Sequence, residues 1–231
     1  MGQESKKTSA VRSDIFYREY LSGNIIDIGG GNDPVTKTAE VFDLDNGDAQ
    51  HILEYKEPNS YDCVYSSHCL EHMKDVPLAI FQWWELLKPK GFMIIVVPHE
   101  DLYEQGIWPS IFNKGHHATF RLKSKKSWSY VSFDIHALIK SLPNSKILEY
   151  EIHDYNYDYS LCKKKFGKVG HLIHRWQFKK NTIKRFFSKI LYPLLHTKLF
   201  EARQTGKVID QTASGALAQI QIVAQKNESI F

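Results

Sequence analysis

Residues 25–34 read Ile-Ile-Asp-Ile-Gly-Gly-Gly-Asn-Asp-Pro. A short β-branched run, of the kind that forms a strand buried on both faces, passes directly into three residues without side chains. Glycines at the end of a first parallel strand let the backbone turn tightly and approach a ligand. A nicotinamide fingerprint, G-x-G-x-x-G, is met at Gly29 and Gly31 but fails at Pro34, its third position. The next acid, Asp43, follows Gly31 by about a dozen residues, where a dinucleotide fold has it nearer 20 residues on. That leaves hardly enough chain for a full crossover helix. A Walker loop needs Gly-Lys-Ser/Thr, and these glycines are not followed by it.

The rest of the chain alternates between helical and strand patterns. Residues 11–22 suit a short helix with Ile15, Tyr17 and Leu21 on its apolar side. Residues 24–28, 41–44 and 61–65 read as strands. Residues 76–87 repeat apolar side chains at 76, 80, 83, 84 and 87, a helical spacing, and Lys88-Pro89-Lys90-Gly91 stops them. Residues 92–97, Phe-Met-Ile-Ile-Val-Val, form a continuous apolar run that Pro98 ends. A helix is expected over 133–141 and strands over 147–152 and 216–223. Strands separated by helices and loops predict an α/β fold with a mostly parallel sheet and ligands at the strands' carboxyl edge.

Length and charge set outer limits. A chain of 231 residues suits one α/β domain spanning 1–231 with an elaboration. No run of 18 apolar residues is present to cross a bilayer, and the first residues, MGQESKKTSAVRSD, are polar rather than a signal segment. They begin Met-Gly, but Lys6 stands where a myristoylation signal wants Ser or Thr. Cys63, Cys69 and Cys162 show no metal-type spacing, which suits a reducing cytoplasm. Residues 162–198 hold eleven of the 30 Lys and Arg and no acid, so the remainder carries nineteen basic side chains against 26 acidic.

Several motifs in order carry a resemblance. They are Asp-Ile-Gly-Gly-Gly-Asn at 27–32, an acid after the second strand, "YDCVYSSHCLEH" at 61–72, and "ELLKPKGFMIIVVP" at 85–98. Over residues 22–105 the chain closely resembles class I S-adenosylmethionine-dependent methyltransferases. "PHEDLYE", "NKGHHATF" and "VIDQTASGALAQIQIV" are similar to a subgroup associated with bacterial surface-polysaccharide gene clusters. The resemblance implies a Rossmann-like, mostly parallel seven-stranded sheet with helices on both faces. A basic helical insertion would precede the last strand, and 22–105 would be the cofactor-binding core. It implies that Asp27 and Gly29, Gly30 and Gly31 hold the amino-acid end of S-adenosylmethionine. Asp43 would take the ribose diol, with Leu44 and Asp45 beside it, and Asp48 and Ala49 would meet the adenine. Ser66, Ser67 and His68 would floor the pocket. The shortened stretch from Gly31 to Asp43 departs from the family and puts its first crossover helix in question.

A sulfonium methyl is already activated, so catalysis is mainly alignment, which contributes up to roughly 7–11 kcal/mol. A hydroxyl acceptor also needs its proton taken, an effect of about 10²–10⁴-fold. The base is expected on loops after the strand at 92–97, where His99, Asp101, Glu104, His116 and His117 lie. His116 is the first choice, in the subgroup's "N-x-x-H" position, ahead of His99 and then His117. Each could instead cap a loop or bind substrate. His68, Glu71 and His72 spell H-x-x-E-H, a zinc-hydrolase pattern without an evident third ligand at helical spacing. His99, Asp101, Glu104 and His116 form a second set able to hold a divalent ion that acidifies a sugar hydroxyl. No metal ligand is assigned.

The basic stretch, 163–198 within an insertion or cap over 160–200, has two apolar helical stripes. One is Val169, Leu172, Ile173 and Trp176; the other is Ile183, Phe186, Phe187, Ile190 and Leu194. It reads as a cap on the sheet, a lid for phosphates of a nucleotide- or lipid-linked acceptor, or a contact with an anionic membrane surface. Nucleic acid is not expected, since the rest of the chain is acidic. The expectation is therefore a cytoplasmic enzyme, at most at the inner membrane surface, that O-methylates a sugar or small unit of a capsule or surface polysaccharide. Two other classes stay open: a metal-dependent hydrolase using His68, Glu71 and His72, and a non-catalytic nucleoside-binding module. Asp210 and Gln211 are candidates for the edge of the acceptor site.

Overall fold

The computed structural model describes residues 4–161 and 209–228. The basic stretch 163–198, Cys162 and most of the 160–200 insertion lie outside these residues. The chain opens with helices α1 (Glu4–Ser9) and α2 (Asp14–Tyr20). Strands β1 (Ile25–Ile28), β2 (Glu40–Phe42) and β3 (Tyr61–Ser67) follow. Next come α3 (Val76–Glu85), β4 (Leu87–Pro98), β5 (Thr119–Arg121) and β6 (Ser132–Asp134). Helix α4 (Ile135–Lys140) and strands β7 (Ser145–His153) and β8 (Gln219–Lys226) complete the described fold.

Six strands form the main sheet in the order β2-β1-β3-β4-β8-β7, while β5 and β6 pair separately. Strands β2, β1, β3 and β4 run parallel. β8 runs antiparallel to both β4 and β7. The expected seven-stranded sheet is thus corrected to a six-stranded, mixed one with a Rossmann-like core. Residues between β2 and β3 are spent on 3-10 segments, Leu44–Asn46 and Ala49–Glu54, rather than on another strand. Residues 29–39 contain only turns, so β1 and β2 connect without a crossover helix.

Helices cover both faces because both faces of the strands are apolar. Ile26, Ile28, Val64, Met93, Ile95 and Val97 point toward α3 and α4, with Trp83, Trp84, Ile135 and Ile139 packed among them. The alternate positions, Ile25, Cys63, Tyr65, Ile94 and Val96, meet Phe16 and Tyr20 of α2. This is the period-2 alternation of a strand, with both phases apolar. α3 starts at the Asp75 cap, which accepts from Leu78 N at 3.0 Å, and Pro77 occupies its first turn. Its two tryptophans are fully buried, yet each indole is satisfied: Trp83 donates to Ala49 O at 2.7 Å and Trp84 to Pro143 O at 2.9 Å.

Trp83→Ala should therefore cost about 3–5 kcal/mol of unfolding free energy. Phe81→Ala, on the same helix but largely exposed, should change it by under about 0.5 kcal/mol. Urea denaturation of the two variants checks the contrast.

Candidate active site

Parallel strands bring their carboxyl ends to one rim, and the residues singled out in sequence gather there. β1 ends at Ile28, paired with Phe42 of β2 and Ser66 of β3. Gly29 N donates to Phe42 O at 2.8 Å, which carries the ladder one step past β1. Gly29 and Gly31 adopt φ of +82° and +53°. A Cβ on Gly29 would lie 2.7 Å from Cβ of Cys69, and one on Gly30 would lie 2.7 Å from the Asp27 carboxyl carbon. Glycine is required by conformation at Gly29 and by space at Gly30.

Asp27 sits beneath this turn, 1% exposed. Its Oδ2 accepts from Val35 N at 2.7 Å, while its buried Oδ1 has no partner among the described residues. Burial pushes this carboxyl up to about 7, against the pull of Val35 N–H and the Arg12 guanidinium. Asp43 follows β2, and a Cβ on Gly31 would stand 3.4 Å from its Oδ2. Its Oδ1 accepts from Leu44 N at 2.8 Å, leaving Oδ2 toward the glycine turn. Leu44 is 90% exposed, an apolar surface at the rim. Asp45 is exposed next to it. Asp48 caps the following 3-10 segment through Gln50 N, and Ala49 is half-buried. Ser66 donates to Ile28 O at 2.9 Å, and Ser67 Oγ is buried. An orphaned acid, bare backbone and an exposed apolar side chain between acids fit the amino-acid, ribose and adenine parts of S-adenosylmethionine.

A second cluster stands on the same rim. His116 is buried; its Nδ1 lies 2.7 Å from Glu104 Oε1 and its Nε2 lies 3.9 Å from Glu71 Oε1. The rings of His72 and Tyr103 pack against it, with centroids at 5.1 and 5.3 Å. Burial raises the Glu104 carboxyl despite its bond to His116. Burial also works to raise Glu71, but the imidazoles around it, His68 foremost, hold it below the ordinary carboxylate range. Glu104 reaches the cluster from a π-helical turn, Glu100–Glu104, that immediately follows β4.

Other expectations resolve differently. His99 accepts from Asp101 N at its Nδ1, 3.1 Å away, so the neutral ring carries its proton on Nε2, and burial lowers its basicity. That tautomer is a poor proton acceptor at Nε2. Asp101 is exposed and accepts from Trp128 Nε1 at 3.0 Å. The set His99, Asp101, Glu104 and His116 therefore does not converge. His117 is exposed, and its backbone N–H donates to Glu71 O at 2.7 Å. The hydrolase pattern is also not formed: Leu70–His72 is one 3-10 turn rather than an α-helix, and His68 takes φ +54° with its Nε2 2.9 Å from Gln219 Oε1. Asp210 caps its own turn through Thr212 N, and the Gln211 amide bonds the Asp158 backbone 53 residues away.

Sequence reading did not find the partners beneath these groups. Gln219 donates to Thr8 Oγ1 at 2.9 Å, which ties α1 to the rim. Glu100, buried, accepts from Ser127, Ser132 and Thr119. Gln219 left one signal: with Gln221 it sets a polar alternation within an otherwise apolar strand.

A family model for a methyltransferase domain matches residues 5–160. The chain belongs to this family. It is a methyltransferase. No curated protein sequence matches it. Solved structures similar to it include a SAM dependent methyltransferase from Archaeoglobus fulgidus, at 12% identity and TM-score 0.48, covering 97% of this chain and 95% of that one. The YcgJ protein from Bacillus subtilis has 14% identity and TM-score 0.47, covering 99% and 100%. Phosphoethanolamine N-methyltransferase 2 from Haemonchus contortus, in complex with S-adenosyl-L-methionine, has 17% identity and TM-score 0.48, covering 97% of this chain and 53% of that one.

The Asp27 carboxyl has a consequence for stability. Its native pKa of about 7 lies above the ordinary aspartate value of about 3.9, so the native state binds this proton more tightly than the unfolded chain. That contribution is fully present below about pH 4 and is lost as pH rises toward about 7. Between about pH 5 and pH 8 this methyltransferase should lose urea stability relative to its Asp27→Asn variant. Parallel pH profiles for the two would show that Asp27 stays ionised throughout.

Proposed function

We propose that this methyltransferase, whose donor is S-adenosylmethionine, O-methylates a sugar or related small unit of a bacterial surface polysaccharide. The observation that carries the reading is the meeting, on one rim, of an orphaned acid under bare backbone with a buried imidazole–carboxylate pair. The first suits the donor and the second suits removal of a hydroxyl proton.

The donor supplies a methyl group already activated by its sulfonium. Asp27 and Gly29–Gly31 hold its charged amino-acid end, with Asp27 Oδ1 accepting from it. Asp43 takes the ribose hydroxyls, Leu44 and Asp45 border them, and Asp48 and Ala49 lie along the adenine. Ser66, Ser67 and His68 form the floor. Cys69, packed against Gly29, opens the turn that presents Glu71 and links the two halves. The acceptor hydroxyl is activated at His116, which Glu104 orients. An oxygen acceptor is favoured because a buried imidazole bonded to a carboxylate is suited to drawing off a proton.

The glycan class rests on the resemblance of the motifs at 98–104, 113–120 and 208–223 to the polysaccharide-cluster subgroup. The stretch 163–198, with its cations, would meet phosphates of the acceptor or an anionic membrane surface on the cytoplasmic side. No helix among the described residues is long and apolar enough to cross a membrane.

Calorimetry with S-adenosylhomocysteine tests the donor half. Asp43→Ala should weaken binding by roughly 10- to 100-fold, the effect of losing charge-assisted hydrogen bonds of about 1.5–3 kcal/mol. Equal affinity would remove the ribose assignment. His116→Ala should slow methyl transfer to glycan acceptors by roughly 10²–10⁴-fold while donor affinity stays near wild type; an unchanged rate would take activation away from His116.

A further inference from the structure

We propose that Glu71, His72 and His116 form a binding site for a divalent transition-metal ion, with Glu104 and the Gly115 carbonyl orienting the two imidazoles. The inference rests on the O-methylation reading and deepens it, since the ion would be the means by which the acceptor hydroxyl is activated.

One ligand atom from each of the three residues lies within 4.8 Å of the others. His116 gives Nδ1–H to Glu104 Oε1 at 2.7 Å, so its Nε2 carries a lone pair. His72 Nδ1 lies 2.9 Å from the Gly115 carbonyl, an acceptor only, so Nδ1 is protonated and Nε2 is again the lone-pair atom. Glu71 is 1% exposed; His68 Nδ1 stands 3.4 Å from its Oε1, and neither of its oxygens makes a well-formed hydrogen bond among the described residues. Its Oε1 is 3.9 Å from His116 Nε2, too long for a hydrogen bond. Two ligands each about 2.0–2.2 Å from a shared tetrahedral ion stand roughly 3.3–3.6 Å apart, so the two groups need to close by only a few tenths of an ångström around one. An ionised carboxylate buried without hydrogen bonds costs several kcal/mol. His68 offsets part of that cost from one side, and a cation among the three groups would offset the rest.

The surrounding shell is what metal ligands require. A ligating imidazole usually donates its other N–H to a carboxylate or a backbone carbonyl, which fixes the tautomer and raises its basicity. His116 has the first partner and His72 the second. Two imidazoles and one carboxylate select manganese, iron or zinc over calcium, which prefers all-oxygen ligands. Three protein ligands leave positions for water or for an acceptor hydroxyl. On the ion, that hydroxyl loses its proton to solvent water as its oxygen bonds the methyl carbon. The sulfur–carbon bond breaks, and its electron pair stays on sulfur as S-adenosylhomocysteine. With the ion bound, His116 activates the hydroxyl through the ion rather than by taking its proton directly, so the loss of rate expected of His116→Ala stands in either case.

Full-length protein stripped with chelator should be titrated by calorimetry with manganese and with zinc, alongside S-adenosylhomocysteine. Wild type should take up one ion per chain. Glu71→Gln and His116→Ala should lose it, and Glu104→Gln, which touches no ion, should weaken it about 10- to 100-fold. Calcium should bind far more weakly than either metal. Absence of stoichiometric uptake by wild type would overturn the site, as would equal uptake by wild type and Glu104→Gln. Should Glu71→Gln fail to fold, wild-type stoichiometry and Glu104→Gln still decide. Donor affinity separates the two readings: S-adenosylhomocysteine binding without metal uptake sinks the ion alone. Metal uptake without donor binding keeps the ion site and sinks the methyl-transfer assignment.

Discussion

The architecture of the rim follows from one buried carboxyl. Asp27 points into the face that α2 covers, on the strand at the heart of the parallel set. With almost no exposure, its group must be met by backbone that comes close, and only residues without Cβ can do so. Gly30 supplies the approach, and Val35 returns to give its N–H. That single bond draws residues 29–35 back over the strand. It lets β1 reach its parallel neighbour β2 through turns alone, where such connections normally take a dozen or more residues and a helix. The same closure holds the glycine turn against Cys69 and sets Gly31 beside Asp43.

The sheet itself was legible in sequence because its physical signal is local. Runs such as 92–97 have both phases apolar, and such runs form strands covered on both faces. The interruption at Gly29–Gly31 and the short span to Asp43 together announced a turn with no crossover helix, and residues 29–39 are turns. Strand count was less accessible. A 3-10 segment such as Ala49–Glu54 has no periodicity of its own to tell it from a strand. Helix α1 offered no apolar stripe, since it is tied down by Thr8 and Lys7 bonding to Gln219 and the Thr212 carbonyl.

Within the candidate site, what could be read were residues adjacent to strand ends, where sequence distance and spatial distance agree. Glu71 and His72 were noticed with His68, their neighbour in sequence, and His116 with His99 and Glu104. The fold redistributes them. His68 turns toward Gln219 through a left-handed backbone, while the loop carrying His116 folds back so that the N–H groups of His117 and Ala118 meet the Glu71 carbonyl. A contact made by a loop some 45 residues away has no periodic trace. Only the tertiary path brings His116 over Glu71, and with it the third candidate ligand that helical spacing could not supply.

The two halves of the rim share one liability and resolve it differently. Asp27 and Glu71 are both buried acids with an oxygen left unpartnered. Around Asp27 the bonded donor is a single backbone N–H, so burial prevails and the carboxyl takes up a proton readily. Around Glu71 stand imidazoles, which hold it ionised despite burial. A carboxyl that can release its proton suits a ligand that brings its own positive charge, as the ammonium of an amino acid does. A carboxylate with imidazoles on several sides has cationic or proton-donating neighbours within reach. The strand ends thus present two buried acids in opposite surroundings, one under bare backbone and one among imidazoles, separated by the turn that Cys69 opens.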